Sequence, residues 1–198
     1  MIRKHQKPFI LFLAFIHFAL PLAWAGEASV KVDVSGLSGV RLQNVEAALT
    51  LPPGFVSDNA VEERWLERFA GRVPKLVNDA LEPFGLYRSE TTVTIERPDE
   101  LVYLVAVDVE PGPQTTVRSL DLRLTGEGSH EKRLLRVIRD FPLQQDDPLD
   151  HRLYEQGKLD LRLRAINLGY LETDYTAHAI RIDLEDDAAD IELVLETG

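Results

Sequence analysis

Leu120-Asp121-Leu122-Arg123-Leu124-Thr125-Gly126 alternates apolar and polar side chains over six residues and ends in glycine, as does Val30-Lys31-Val32-Asp33-Val34-Ser35-Gly36 ninety positions earlier. Strict alternation places every second side chain on one face, the pattern of a strand buried on one side only. Two further pairs keep nearly the same spacing. Phe84-Gly85-Leu86-Tyr87 has its counterpart in Leu168-Gly169-Tyr170-Leu171, and Val109-Glu110-Pro111-Gly112 in Leu195-Glu196-Thr197-Gly198. A period of about 84 to 90 residues implies two similar modules and not a solenoid of short repeats.

Between these landmarks the chain reads in the same order twice. In the first module Val40–Leu49 reads as a short helix. Val61–Phe84 reads as a longer one, interrupted where Pro74 predicts a kink or a fresh helix start. Gly85 ends that stretch, and Thr91–Glu96 and Leu101–Val109 follow as β-rich runs around a turn at Arg97–Glu100. In the second module Ser129 is a candidate N-cap for a helix over Glu131–Asp140. Asp150–Leu168 follows as the long helix, ended by Gly169, with Tyr175–Leu184 and Asp190–Leu195 as closing strands. The expected fold is α+β, two tandem β-α-α-β-β modules in which two helices cover one face of a three-stranded sheet and the other face stays solvated.

The 198 residues are 44% hydrophobic and 28% charged with no cysteine, which excludes thiol nucleophiles, thiolate zinc sites and iron–sulfur clusters. Residues 1–25 read as a secretory signal. Arg3, Lys4 and Lys7 precede the apolar run Phe9–Leu20, and Ala23-Trp24-Ala25 supplies the small residues of a cleavage site. Without them 19 Lys and Arg face 33 Asp and Glu, a formal charge of −14 that disfavours nucleic acid and anionic lipid. After cleavage no segment is expected to span a membrane as a helix.

Catalytic patterns are weak. His130, His151 and His178 have no paired metal-ligand spacing, and His151, following the candidate N-cap Asp150, reads as a solvated helix-start residue. The acidic run Asp183, Glu185, Asp186, Asp187, Asp190 lacks the EF-hand ligand order and reads as a polar hairpin turn. Gly126-Glu127-Gly128-Ser129 has no phosphate-binding lysine and no nucleophile elbow. The expectation is a protein with no catalytic residues, no metal and no cofactor.

Two features suit binding. Leu159, Leu163 and Ile166 lie away from the Tyr154/Leu161/Ala165 stripe, either widening the core-facing surface or leaving an apolar strip for a neighbour. The strands around Thr92, Val93, Thr94 and Ile95, and around Thr176, His178, Ile180 and Ile182, are candidate sheet edges able to accept an extended chain. Charged neighbours that merely blunt those edges are the opposing reading.

The ordered set resembles the POTRA domains of the outer-membrane assembly factor superfamily, and most closely the N-terminal periplasmic arm of the TamA family, part of the translocation and assembly module. The resemblance rests on Val34-Ser35-Gly36-Leu37-Ser38-Gly39, on Asn44-Val45-Glu46 and on Ala80-Leu81-Glu82-Pro83-Phe84-Gly85-Leu86-Tyr87. In the second module Tyr154, Leu161, Ala165 and Gly169-Tyr170 carry it. It makes Gly36, Gly85, Tyr87, Gly169 and Tyr170 structural motif residues, with domains at 26–112 and 113–198. It implies a periplasmic protein associated with the outer membrane. Its partners would be outer-membrane protein clients, autotransporters among them, or a TamB-like protein, with a β-barrel subunit nearby. A third module and a barrel are expected in such proteins and are not in this sequence. A POTRA docking adaptor in two-partner secretion or cell division, with a retained N-terminal anchor, is the alternative.

Overall fold

The computed structural model describes residues 27–51, 53–54 and 56–198. The expected signal, residues 1–25, lies outside the described residues. The first module opens with β1 (Ser29–Ser35) and α1 (Gly39–Ala48). A two-residue hairpin, β2 (Val56–Ser57) and β3 (Ala60–Val61), precedes α2 (Glu63–Ala70) and α3 (Val73–Leu81). A 3-10 turn over Glu82–Phe84 then leads to β4 (Glu90–Asp99) and β5 (Val102–Glu110). The second module has β6 (Thr116–Thr125), a 3-10 turn (Glu127–His130), α4 (Lys132–Arg139), α5 (His151–Asn167), β7 (Asp174–Asp183) and β8 (Ala188–Glu196).

Both sheets are built alike. The last strand lies in the middle, paired parallel to the first strand and antiparallel to its predecessor, giving the orders β1-β5-β4 and β6-β8-β7. The central strand therefore meets the helices with one whole face. On β5, Tyr103, Val105, Val107 and Val109 are buried against Val45, Leu66, Phe69, Val77 and Leu81. On β8, Ile191, Leu193 and Leu195 are buried against Leu134, Tyr154, Leu161 and Ala165. Burying each large core side chain of this kind contributes on the order of 1.5–3 kcal/mol, and each module has its own core.

Local chemistry explains where helices begin and end. Pro74 occupies the first turn of α3, where a missing N–H removes no intrahelical bond, so the long predicted helix is two helices with a break at Gly71-Arg72. Its first residue, Val61, belongs instead to β3. Asp58 and Asn59 both adopt positive φ, the geometry of a two-residue hairpin turn, and this signal was missed because the flanking strands are only two residues long. Asn59 Oδ1 then accepts the Ala28 N–H at 2.7 Å and ties the hairpin to the start of β1.

The N-cap of α4 is Glu131, whose carboxylate accepts the Arg133 N–H at 3.0 Å, and not Ser129, which the preceding 3-10 turn places two residues too early. Asp150 caps α5 as expected, accepting the Arg152 N–H at 2.9 Å. The turn before β5 is also tighter than read from sequence, since β4 continues through Arg97 to Asp99, which pairs with Val102.

Candidate partner-binding edges and the module interface

The sheet order leaves β4 and β7 as outer strands, each ten residues long. Among the described residues their backbone ladders run only to β5 and β8. Thr92, Val93, Thr94 and Ile95 all lie on β4, in register with Asp108, Val107, Ala106 and Val105. Val93 packs on the core, and Thr92 and Thr94 are exposed on the solvated face.

Thr176, His178, Ile180 and Ile182 lie on β7, but they do not form one alternating set. The register shifts between Tyr175 and Ala177, so Thr176 sits in a bulge. Beyond it His178, Ile180 and Ile182 pair with Leu193, Ile191 and Ala189, which places them on the helix-covered side. Ile180 and Ile182 pack into the second core, and His178 overhangs it, edge-on to Tyr175 at 6.4 Å between ring centres. What β7 offers a partner is its backbone more than these side chains.

The other edge of the second sheet, β6, is partly covered. Thr115–Val117 exchanges backbone hydrogen bonds with the loop Asp146–Leu149, including Leu149 N–H to Thr115 O and Val117 N–H to Asp147 O, each 2.9 Å. At the same end of β6, Arg118 bridges Asp190 (2.6 Å) and Asp183 (3.0 Å). That contact and the Ser119 hydroxyl hold the Asp190 carboxyl down at about 2. The acidic run thus lies around a hairpin turn where Arg118 engages Asp183, Asp186 and Asp190 and Arg88 engages Asp187, and no group of three ligating side chains suited to a metal occurs among the described residues.

The motif at 84–88 builds the contact between modules. Gly85 adopts φ +73, and its carbonyl accepts the Thr115 N–H at 2.9 Å. Gln114 Nε2 donates to Phe84 O at 2.9 Å, and Arg41 donates to Gln114 Oε1 at 2.8 Å. The Tyr87 hydroxyl lies 2.5 Å from His151 Nε2, Arg88 pairs with Asp187 at 2.5 Å, and the Arg152 guanidinium stacks 4.4 Å from the Phe84 ring. His151 is therefore half-buried in an interface and not solvated, a role its own sequence neighbourhood does not show because its partner is 64 residues away.

Burial raises the Tyr87 hydroxyl to about 12, with Glu82 adding to the effect. Burial also lowers the His151 pKa, against the opposing pull of Asp150, Glu82 and Glu155. A histidine depressed on folding contributes stability that is full above its unfolded value of about 6.5 and is lost as pH falls below it. We expect the urea midpoint to drop between pH 7 and pH 5.5 in the native chain, and His151→Gln to flatten that drop. Equal slopes in the two proteins would show that the imidazole is not buried by this contact.

The remaining motif residues are Gly36 (φ +84), which closes against Val109, and Gly169 (φ +101), which ends the turn after α5. Tyr170 packs against the second core, and its neighbour Leu171, the counterpart of Tyr87, is 77% exposed. Leu159 and Leu163 are 56% and 48% exposed, so they form a strip and do not widen the core surface.

Tandem three-stranded sheets with a central final strand and helices on one face are the α+β arrangement expected of POTRA-like modules. Residues 31–111 match the family model for POTRA domain 1 of TamA. Among solved structures, the chain is similar to POTRA3-5 of BamA from Haemophilus influenzae at 17% identity and a TM-score of 0.45, with 87% of this chain and 66% of that one covered. POTRA1-2 of Omp85 from Anabaena matches at 17% identity and a TM-score of 0.36, covering 87% and 94% respectively. CdiB from Escherichia coli matches at 13% identity and a TM-score of 0.27, with 90% of this chain and 29% of that one covered. The chain thus spans less than two thirds of the BamA fragment and under a third of CdiB.

Proposed function

We propose that this chain serves as a periplasmic arm in outer-membrane protein assembly, of the kind that handles autotransporter-type clients, with domains at 26–112 and 113–198. It holds client or partner polypeptides by strand addition. A TamB-like protein and a β-barrel subunit are the partners this reading calls for. The observation that carries it is the outer edge of β4, which no other described strand covers and where Thr91–Ile95 contains no charge or proline and every second residue turns its backbone N–H and C=O outward. An extended segment laid along that edge gains main-chain hydrogen bonds whatever its side chains are, which suits a module that must accept many sequences.

Amide exchange tests this. In the free chain alternate amides across Thr92–Ile95 should exchange rapidly while those bonded to β5 are protected. Adding an extended peptide of alternating aromatic and polar residues, ending in phenylalanine, should protect the fast set. Protection that fails to appear on either β4 or β7 while the peptide binds elsewhere would overturn strand addition.

A further inference from the structure

The two helices of the second module differ in charge from the rest of the molecule. α4 and α5 together carry eight Lys and Arg against only Glu155 and Asp160, whereas α1, α2 and α3 carry four of each sign. This concentration sits in a chain with 22 basic and 33 acidic residues overall. Between α4 and α5 runs a groove of about 750 Å³. Phe141, Pro142 and Val137 contribute apolar lining, Arg133, Arg136 and Arg164 face it together with Asp140 and Asp160, and Leu163 forms part of its wall. Arg136 and Arg164 are exposed and make no ion pair within 4 Å among the described residues, unlike Arg133 and Arg139, which are engaged by Glu131 and Asp140. Leu159 lies next to Leu163 along the exposed side of α5 and extends the apolar strip.

We propose that this groove is a docking site for an acidic amphipathic helix of a partner protein. Charge complementarity selects the sign, because an acidic helix is attracted here and repelled by the acidic remainder of the surface. The walls select the conformation. Both are helices whose backbone groups are bonded internally, so the groove has no free ladder for an extended strand, whereas a helix can seat its side chains between theirs. From Gly157 to Asn167 the groove is about 15 Å long, which matches roughly three helical turns. Its depth at the Phe141 end is fixed by Gly157, since a Cβ there would lie 2.5 Å from Phe141 Cε2 and 2.7 Å from Pro142 Cδ. The helix presents glutamate or aspartate to Arg136 and Arg164 and leucine-like residues to Leu163 and Leu159. This site is independent of the strand edges.

The test uses the full chain and a fluorescein-labelled peptide of glutamate, alanine and leucine designed as a four-turn amphipathic helix. Its comparisons are the same peptide with lysine for glutamate, a scrambled sequence, and phosphatidylethanolamine vesicles containing phosphatidylglycerol. The acidic helix should bind and shift the amides of residues 133–140 and 157–167. Arg136→Glu combined with Arg164→Glu should weaken binding about tenfold or more, and binding should fall with added salt. Leu163→Ser, which leaves the charges intact, should weaken it separately, and unchanged thermal midpoints would establish that both variants are folded. Equal binding of the lysine or scrambled peptide, amide shifts confined to β4 or β7, or vesicle binding without peptide binding would overturn the proposal.

Discussion

Gly36→Val is expected to unfold the first module at room temperature while leaving the second folded. Gly36 follows β1 with φ +84, and a Cβ there would fall on the carbonyl oxygen of Val109 and 2.9 Å from its carbonyl carbon. Both atoms belong to the backbone of the central strand, so no rotamer change relieves the overlap. The chain must either pull β1 away from β5 or abandon its turn into α1. The first choice breaks the end of the parallel ladder at Ser35–Asp108 and the 2.7 Å bond from Ser35 Oγ to Asp108 Oδ1. A left-handed β-branched residue and an unrelieved overlap together cost about 3–5 kcal/mol, a large share of what a domain of this size has in reserve. Amide exchange reads the outcome module by module. Val105 and Val107 should lose protection while Ile191 and Leu193 keep theirs, and retained protection on both strands would show that the turn tolerates a side chain.

A second substitution should separate the modules without unfolding either. Gly85 has φ +73, and a Cβ there would meet Leu149 O at 2.6 Å and Gln114 Nε2 at 2.8 Å. Both obstacles lie beyond the first module's own strands: Leu149 precedes α5, and Gln114 lies in the connection into β6. Gly85→Val is therefore resolved most cheaply by lifting the 84–88 segment off the second module, at a cost of about 2–4 kcal/mol. The bonds lost with it are the Thr115 N–H to Gly85 O contact, the Tyr87–His151 pair and the Arg88–Asp187 ion pair. Two readouts follow. Residual dipolar couplings should cease to fit a single orientation for the two sheets, and the His151 pKa should return towards its ordinary value as the ring becomes solvated. A native His151 pKa in the variant would mean that the interface survives.

The layout of both modules was legible because alternation and glycine placement are local signals. LDLRLTG and VKVDVSG show which face each strand buries, and Pro74, Gly85, Asp150 and Gly169 mark helix boundaries through their own backbone chemistry. Residues whose environment is set by distant partners were not legible in the same way. His151 has ordinary helix-start neighbours and acquires its burial from Tyr87. Arg118 looks like one more exposed charge on an alternating strand until β7 and β8 bring Asp183 and Asp190 to it. Leu159 and Leu163 fit a core face and a surface strip equally well by spacing, and only the position of the sheet decides. At the candidate edges the sequence indicates which strands are outermost by analogy with a known order. The bulge at Thr176, which turns His178, Ile180 and Ile182 towards the helices, depends on cross-strand register and has no marker of its own.

Each module closes by pairing its first strand with its last, and the side-chain bonds that join those strands span 69 to 73 residues of sequence. As the chain emerges the opening strand must therefore wait, with its ladder unmade, until nearly the whole unit is present. The β4–β5 and β7–β8 hairpins and the helices join neighbours in sequence and can form earlier. A chain that has emerged only as far as residue 101 carries a first strand with no parallel mate, the stage at which a chaperone would find most to hold.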